Sequence, residues 1–328
     1  MSMTNETEHN DNDGFKRIRV GISSCLLGEE VRFDGGHKRD AYVVGTLSEY
    51  FDFVPVCPEE AIGLGTPREP IRLVQKADGV HVVGVKTVTR DVTEALRAYG
   101  EKMAGRMTDI SGYILKRASP SCGMERVKVY TEAGMPVTTA SGKYAEAFMQ
   151  AQPLLPVEEE GRLGDPVLRE NFIVRVFVYH RWQTLVTHGL TAQALIDFHT
   201  DHKYLLMAHD QNAYREMGRL VAQAGNRPLD ELANDYVTAL MTALRTRATR
   251  RQHVNVLQHL FGYVSKHVDA ADRAEMIEII DHYRDGLVPL IVPITLLKHH
   301  FRRHPDPYIE RQVYLSPHPK ELMLRNLL

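Results

Sequence analysis

Three cysteines, Cys25, Cys57 and Cys122, are the residues of this chain whose type and placement point most directly to chemistry. They stand 32 and 65 residues apart, yet each follows a short apolar run within a few residues: Cys25 after RVGIS, Cys57 after FVPV and Cys122 after YILKRASPS. If those runs are parallel strands of one sheet, their carboxyl ends share an edge and the three thiols meet there. The flanks SSCLLG, VCPEE and SPSCGME supply Gly, Pro, Ser and carboxylates, which is the composition of site loops. The plainer alternative is three buried cysteines acting as small apolar side chains. Thiolates suit zinc or iron–sulfur clusters. Structural zinc usually takes close pairs such as CxxC, and the chain has none. A [4Fe-4S] cluster normally takes four thiolates. Held by three, it keeps one iron free of protein ligands, and an open position is where a catalytic metal site binds substrate. The pattern predicts a metal cluster on Cys25, Cys57 and Cys122, with its fourth iron open.

Such a site needs an α/β framework. Residues 17–23, 53–56, 80–88 and 112–116 read as strands, and residues 40–50, 91–107 and 143–151 as helices, with Asp91 as an N-cap. This alternation predicts an α/β N-terminal domain with a mainly parallel, Rossmann-like sheet. Residues 152–166, with PLLP, EEE and GDP, have linker composition. Beyond Pro166 the pattern is helical almost throughout. Thr191 is placed to cap one helix, and further helices are expected over 212–225, 228–247, 254–267 and 270–286. Within 254–267, Val254, Leu257, Leu260, Phe261 and Val264 lie on one helical face. The expected organisation is a tail over 1–15, an α/β domain over 16–155, a linker over 156–166 and an all-α domain over 167–328.

At 328 residues the chain is long enough for two folded units. An odd count of three cysteines argues against a secreted disulfide framework. The polar first 15 residues resemble neither a signal nor a transit peptide, and no apolar run reaches the roughly 18 residues needed for a bilayer span. The expectation is a cytoplasmic protein with a short disordered start and no obligate protein partner. Residues 161–328 carry 21 Lys/Arg against 18 Asp/Glu and 13 of the 16 histidines. That half is mildly basic, is expected to become more so as histidines protonate, and permits a polyanionic partner.

The blocks SSCLLGEEVRFDGGHK, VCPEEAIGLGTPR and SPSCG resemble the three motif blocks of the thiouracil/thiouridine desulfidase family, in the family's order, over about residues 16–155. LLMAHDQNAYREMGRLVA and PITLLKHHFRRHPDPYIERQVYLSPHPKELMLRN resemble the YbgA-type helical domain. A fusion of the two is similar to bacterial enzymes that remove sulfur from 4-thiouridine in tRNA. The resemblance implies that the three cysteines ligate a [4Fe-4S] cluster and that the helical domain helps to hold RNA. Val31 stands where some family members have a further Cys, which is not a cluster ligand in the family.

Roles follow from that resemblance. A soft thiocarbonyl sulfur suits the open iron, water must add to the carbon that carried sulfur, and a nearby carboxylate can take its proton. Glu59 is the first candidate base, with Glu60 and Asp34 behind it. Ser119 or Ser121 is a candidate to hydrogen-bond the pyrimidine or relay a proton, and both also suit simple turns. Sulfur departs as hydrogen sulfide without net redox change. Arg32, His37 and Lys38 sit in a glycine-bearing loop that suits either a phosphate contact or a solvated turn. Arg68 suits a nucleotide phosphate or a carboxylate partner. Two basic clusters, Arg245, Arg247, Arg250 and Arg251, then Lys298, Arg302 and Arg303, are candidate RNA contacts, although Lys and Arg also favour helix C-termini. His199, His202 and His209 read as ordinary histidines rather than a metal site. The function expected is desulfuration of 4-thiouridine in tRNA. The alternatives are free thiouracil or thiouridine as substrate, and a nucleic-acid-binding module whose metal is only structural.

Overall fold

The computed structural model describes residues 17–327; the tail expected over residues 1–15 lies outside the described residues. The first half holds β1 (Ile18–Ser23), α1 (Ala41–Gly45), β2 (Phe51–Val56), α2 (Pro58–Ala61), β3 (Ile71–Lys76) and β4 (Gly79–Gly84). It continues through α3 (Thr93–Arg106), β5 (Tyr113–Leu115), β6 (Val127–Tyr130), β7 (Pro136–Ala140), α4 (Lys143–Ala151) and β8 (Val157–Glu159). Strands β2, β1, β5 and β8 form a wholly parallel sheet in that order. β1 is buried on both faces, as a central parallel strand should be. Gly21 is needed there: a Cβ would stand 2.1 Å from the ring of Tyr113 on the neighbouring strand.

A second sheet, β4-β3-β6-β7, is mixed, with only the β3–β6 pair parallel. The alternation of strands and helices predicted one mainly parallel sheet. The strand expected over 80–88 belongs instead to the second sheet, and it ends at Gly84, whose N–H turns to the carbonyl of Arg90. Helix α3 begins two residues after Asp91, with Val92 at the cap position; the Asp91 carboxylate still accepts from the Thr93 N–H at 3.1 Å.

Residues 156–166, expected as a linker, contain β8 and a 3-10 turn. Each of the three glutamates there has a partner. Glu158 pairs with Arg162 at 2.6 Å, Glu159 accepts from the Met124 N–H at 2.9 Å, and Glu160 pairs with Lys116.

The second half is nearly all helical: α5 (Pro166–Thr187), α6 (Ala192–Asp201), α7 (Lys203–His209), α8 (Gln211–Val221), α9 (Leu229–Arg245), α10 (Arg250–Val264), α11 (Ala270–Asp285), α12 (Ile291–Arg303) and α13 (Pro307–Glu310). Asp165 and Thr191 cap α5 and α6 through side-chain bonds to backbone N–H groups. Helix α5 serves both halves. Phe172, Ile173, Val176 and Phe177 pack with Val20, Ile22 and Phe51 of the parallel sheet, whereas Val174, Val178 and Trp182 enter the helical core. Leu322 and Leu324, near the end of the chain, return to the sheet's core. No described helix is long and apolar enough to cross a membrane.

Packing narrows the expectation that histidines would add charge to those that remain accessible. His199, His202, His209, His253, His300 and His318 are buried. Burial pushes His199 and His318 down to about 4 and His202 to about 3, and lowers His209 and His253 as well. His202 and His209 turn Nδ1 to the carbonyls of Phe198 and Thr246, and His199 lies against the Tyr236 hydroxyl.

Candidate active site

The parallel sheet brings the cysteines together by its connectivity. β1 runs straight into the 3-10 turn carrying Cys25, β2 into Cys57 at the cap position of α2, and β5 into the loop ending at Cys122. Because the three strands are parallel neighbours, their carboxyl ends open on one edge. All three cysteines line a single cavity of about 390 Å³ there. They are free thiols. Among the described residues no group of three or more His, Cys, Asp or Glu is placed to hold a single metal ion. Burial pushes Cys25 up to about 11, raises Cys57, and raises Cys122 well above the ordinary thiol range. A thiolate here therefore needs strong positive compensation, which a coordinated metal supplies.

Glu59 lines the same cavity on the first turn of α2. Arg68 holds its Oε2 through Nη2 at 2.8 Å and Nε at 2.9 Å, while the Ser121 hydroxyl donates to Oε1 at 2.9 Å. Both oxygens of the carboxylate are thus fixed. Glu60 is drawn away by Arg68 at 3.1 Å and by the Thr66 hydroxyl.

Ser119 lines the cavity, and its Oγ accepts from the backbone N–H groups of Ser121 and Cys122, which shapes the loop bearing Cys122. Ser121 is fully buried and reaches the cavity only through Glu59. Asp34 lies elsewhere. Its carboxylate accepts from the Gly36 N–H, faces solvent in the turn, and is held below the usual carboxylate range by that bond.

The cations divide. Arg32 and Lys38 line the cavity, while His37 accepts from the Arg39 N–H outside it. Arg68 also lines the cavity, but its guanidinium is engaged by Glu59, Glu60 and the carbonyls of Val31 and Gly65. Three further residues belong here that residue-type reasoning passed over. Ser23 hydrogen-bonds the Cys122 thiol, and Lys116 and Arg117 add charge to the wall. The basic pair between a strand and the third cysteine was the available signal.

The two basic clusters of the helical half are far less uniform than their sequences. Arg245 and Arg247 line a groove beside α4 and β8. Arg250 turns inward, bonding the Tyr283 carbonyl at 2.5 Å and lying 4.7 Å from that ring's centre. Arg251 lines a depression with Asp210 that Arg247 also borders. Lys298 is held by the Ser316 hydroxyl at 2.7 Å, and burial lowers its pKa. Arg302 and Arg303 are exposed at the end of α12.

Two family models match the chain. One, described as 2-thiouracil desulfurase, covers residues 20–160; the other, DUF1722, a protein of unknown function, covers residues 203–319. The uncharacterized protein YbgA of Escherichia coli (strain K12) is 35% identical over 158 residues, 48% of this chain and 94% of that protein. The uncharacterized protein YbbK of Bacillus subtilis (strain 168) is 35% identical over 137 residues, 40% of this chain and 89% of that protein. Among solved structures, the [4Fe-4S]-dependent thiouracil desulfidase TudS is 29% identical, spanning 45% of this chain and 95% of its own, with a TM-score of 0.36.

Proposed function

This chain belongs to the 2-thiouracil desulfurase family, with a DUF1722 domain fused behind that module, and from this premise we propose that it removes sulfur from 4-thiouridine in tRNA, giving uridine and hydrogen sulfide. The observation that carries the proposal is one cavity lined by three cysteines from three sheet-edge loops, with a doubly anchored glutamate in its wall.

The donor set fits a [4Fe-4S] cluster. Cys25, Cys57 and Cys122 would hold it as thiolates, and three soft donors lining one cavity suit an iron–sulfur cluster. Bound there with one iron free of protein ligands, such a cluster supplies a Lewis acid with affinity for thiocarbonyl sulfur.

The rest of the chemistry falls to this chain's side chains. Water adds to the carbon bearing sulfur, and Glu59 takes its proton. Arg68 and Ser121 keep the carboxylate aimed, so little reorganisation is needed as the proton moves. The C–S bond breaks, a C–O bond forms, and the sulfur leaves as hydrogen sulfide. Water supplies the oxygen and both protons of the sulfide, so no electron donor or acceptor is required. Ser119 keeps Cys122 in register through two N–H···O bonds. Arg32, Lys38 and Arg117 at the walls favour an anionic substrate over a neutral one.

The test is anaerobic incubation of cluster-loaded protein with bulk tRNA, following loss of the thiocarbonyl absorbance and release of sulfide, with Cys25→Ala as the control. Loss of the band with the wild type and none with the variant is the expected result. Cluster-loaded protein that leaves 4-thiouridine intact but turns over free 2-thiouracil would move the substrate to the free base, which the family's description favours.

A further inference from the structure

Behind the cysteine cavity lies a groove of about 960 Å³ between the α/β module and the helical domain. Its walls come from the loop after Cys122, from α4, from β8 and the turn after it, and from α5 and the end of α9. Its charge is lopsided: Arg126, Arg162, Arg175, Arg245 and Arg247 face Glu125, Glu146 and Glu158. Those carboxylates are already engaged. Arg162 pairs with Glu158 at 2.6 Å and with Glu125 at 2.9 Å, and Glu146 holds Lys143 at 2.8 Å. Arg245 donates one N–H to the carbonyl of Pro153 at 2.5 Å.

Arg175 stands apart. It lines the groove from α5, and its Nε is sealed from solvent with no hydrogen-bond partner. Burial pushes it down to about 10, yet a guanidinium remains charged throughout the physiological range. The residue as a whole is half-buried, and an anion in the groove beside its guanidinium would offset part of the cost of desolvating that charge.

We propose that this groove binds the phosphodiester backbone of RNA, with the half-buried Arg175 as the anchor and Arg245 and Arg247 as flanking contacts. The inference rests on the tRNA reading above and says where that RNA lies. Several cations spread along a long groove suit a chain of phosphates better than one small anion. The groove is also joined to the cavity. Cys122 lines one and Met124, Glu125 and Arg126 line the other, while Glu160, which holds Lys116 in the cavity wall, is two residues from Arg162 in the groove. A strand seated in the groove therefore runs beside the place where the C–S bond breaks.

The experiment titrates fluorescently labelled bulk bacterial tRNA with the cluster-loaded full chain over a series of salt concentrations. It compares wild type, Arg175→Met and the double variant Arg245→Ala/Arg247→Ala, with thermal midpoint and turnover of free 2-thiouracil as parallel readouts. Removing one phosphate-binding cation lowers the log–log salt slope by about 1 and weakens binding about tenfold. Arg175→Met is expected to show this and the double variant about twice the slope change, both keeping the wild-type midpoint and free-base turnover, since Arg175→Met removes a donor that no acceptor satisfies. Variants that bind tRNA with the wild-type constant and slope overturn the groove and leave the tRNA reading standing. Loss of binding only in step with a fallen thermal midpoint also overturns it. A wild type that does not bind tRNA removes the tRNA reading and the groove together.

Discussion

Glu59 illustrates how a single side chain acquires a role from its neighbours. Glu59 and Glu60 are adjacent on the same first turn of α2, and the fold separates their tasks by giving one to the cavity and the other to Thr66 and Arg68. Glu59→Gln preserves size and most of the hydrogen bonding but removes the base. Turnover should fall about a hundred- to ten-thousand-fold while iron content per chain stays at the wild-type level; wild-type turnover would take Glu59 out of the mechanism. Arg68 acts on the reaction only through Glu59 and as a buried ion-pair partner, with its side chain 4% exposed. Removing one member of a buried pair leaves an uncompensated charge, so Arg68→Met should cost about 3 kcal/mol in denaturant unfolding along with turnover. A cost below about 1 kcal/mol would mean the pair behaves as a surface one.

Among the elements, the loop between β5 and β6 bears the tightest demand. It must place Ser119, Ser121 and Cys122 within three hydrogen bonds of one another and of Glu59. Gly142, just before α4, closes against this loop: a Cβ there would stand 2.5 Å from the Ser121 carbonyl and 2.9 Å from that of Ser119. Backbone cannot yield as a flexible side chain can. Gly142→Ala should therefore cost about 1–3 kcal/mol and reduce iron bound per chain. Gly105→Ala, on α3 with nothing within 4 Å, is the matched control and should be neutral or slightly stabilising. Equal iron content in the two variants would show that this packing does not govern the cysteine loop.

For the molecule as a whole, the buried histidines of the helical half set an acid limit. The sign is fixed by the direction of their shifts. His199, His202 and His318 are lowered to about 4, 3 and 4, so above the ordinary value near 6.5 they are neutral in both states and contribute no pH dependence. As pH falls below that value, the unfolded chain binds protons that the folded chain refuses. Stability should drop by up to about 1.4 kcal/mol per pH unit for each histidine until the folded pKa is reached. Denaturation midpoints should fall from about pH 6.5 to about pH 4, and His202→Gln should flatten that slope by up to about one proton. A slope unchanged by the substitution would mean other groups carry the acid lability.

What the sequence determined by itself was mostly local. Apolar runs leading to cysteines marked β1, β2 and β5, of which the central β1 and β5 are buried on both faces, and the polar flanks marked the site loops. Caps at Thr191 and the stripe from Val254 to Val264 were legible for the same reason: helix termini and faces are written within a few residues. What depended on distant contacts was decided only by the tertiary structure. Residues 157–159 look like a linker until Arg162, Met124 and Lys116 supply partners for three successive glutamates and the strand can be buried. Helix α5 is buried over most of residues 170–178 because it is packed from both sides, which erases the periodicity that would have delimited it. Five of the thirteen histidines counted as latent charge are held toward the neutral form because packing desolvates them. Arginines adjacent in sequence were dispersed to different surroundings, since successive helical residues point in different directions. Residue type and short spacing carry chemistry and local conformation; burial and partner choice belong to residues tens of positions away, and only the folded chain brings those together.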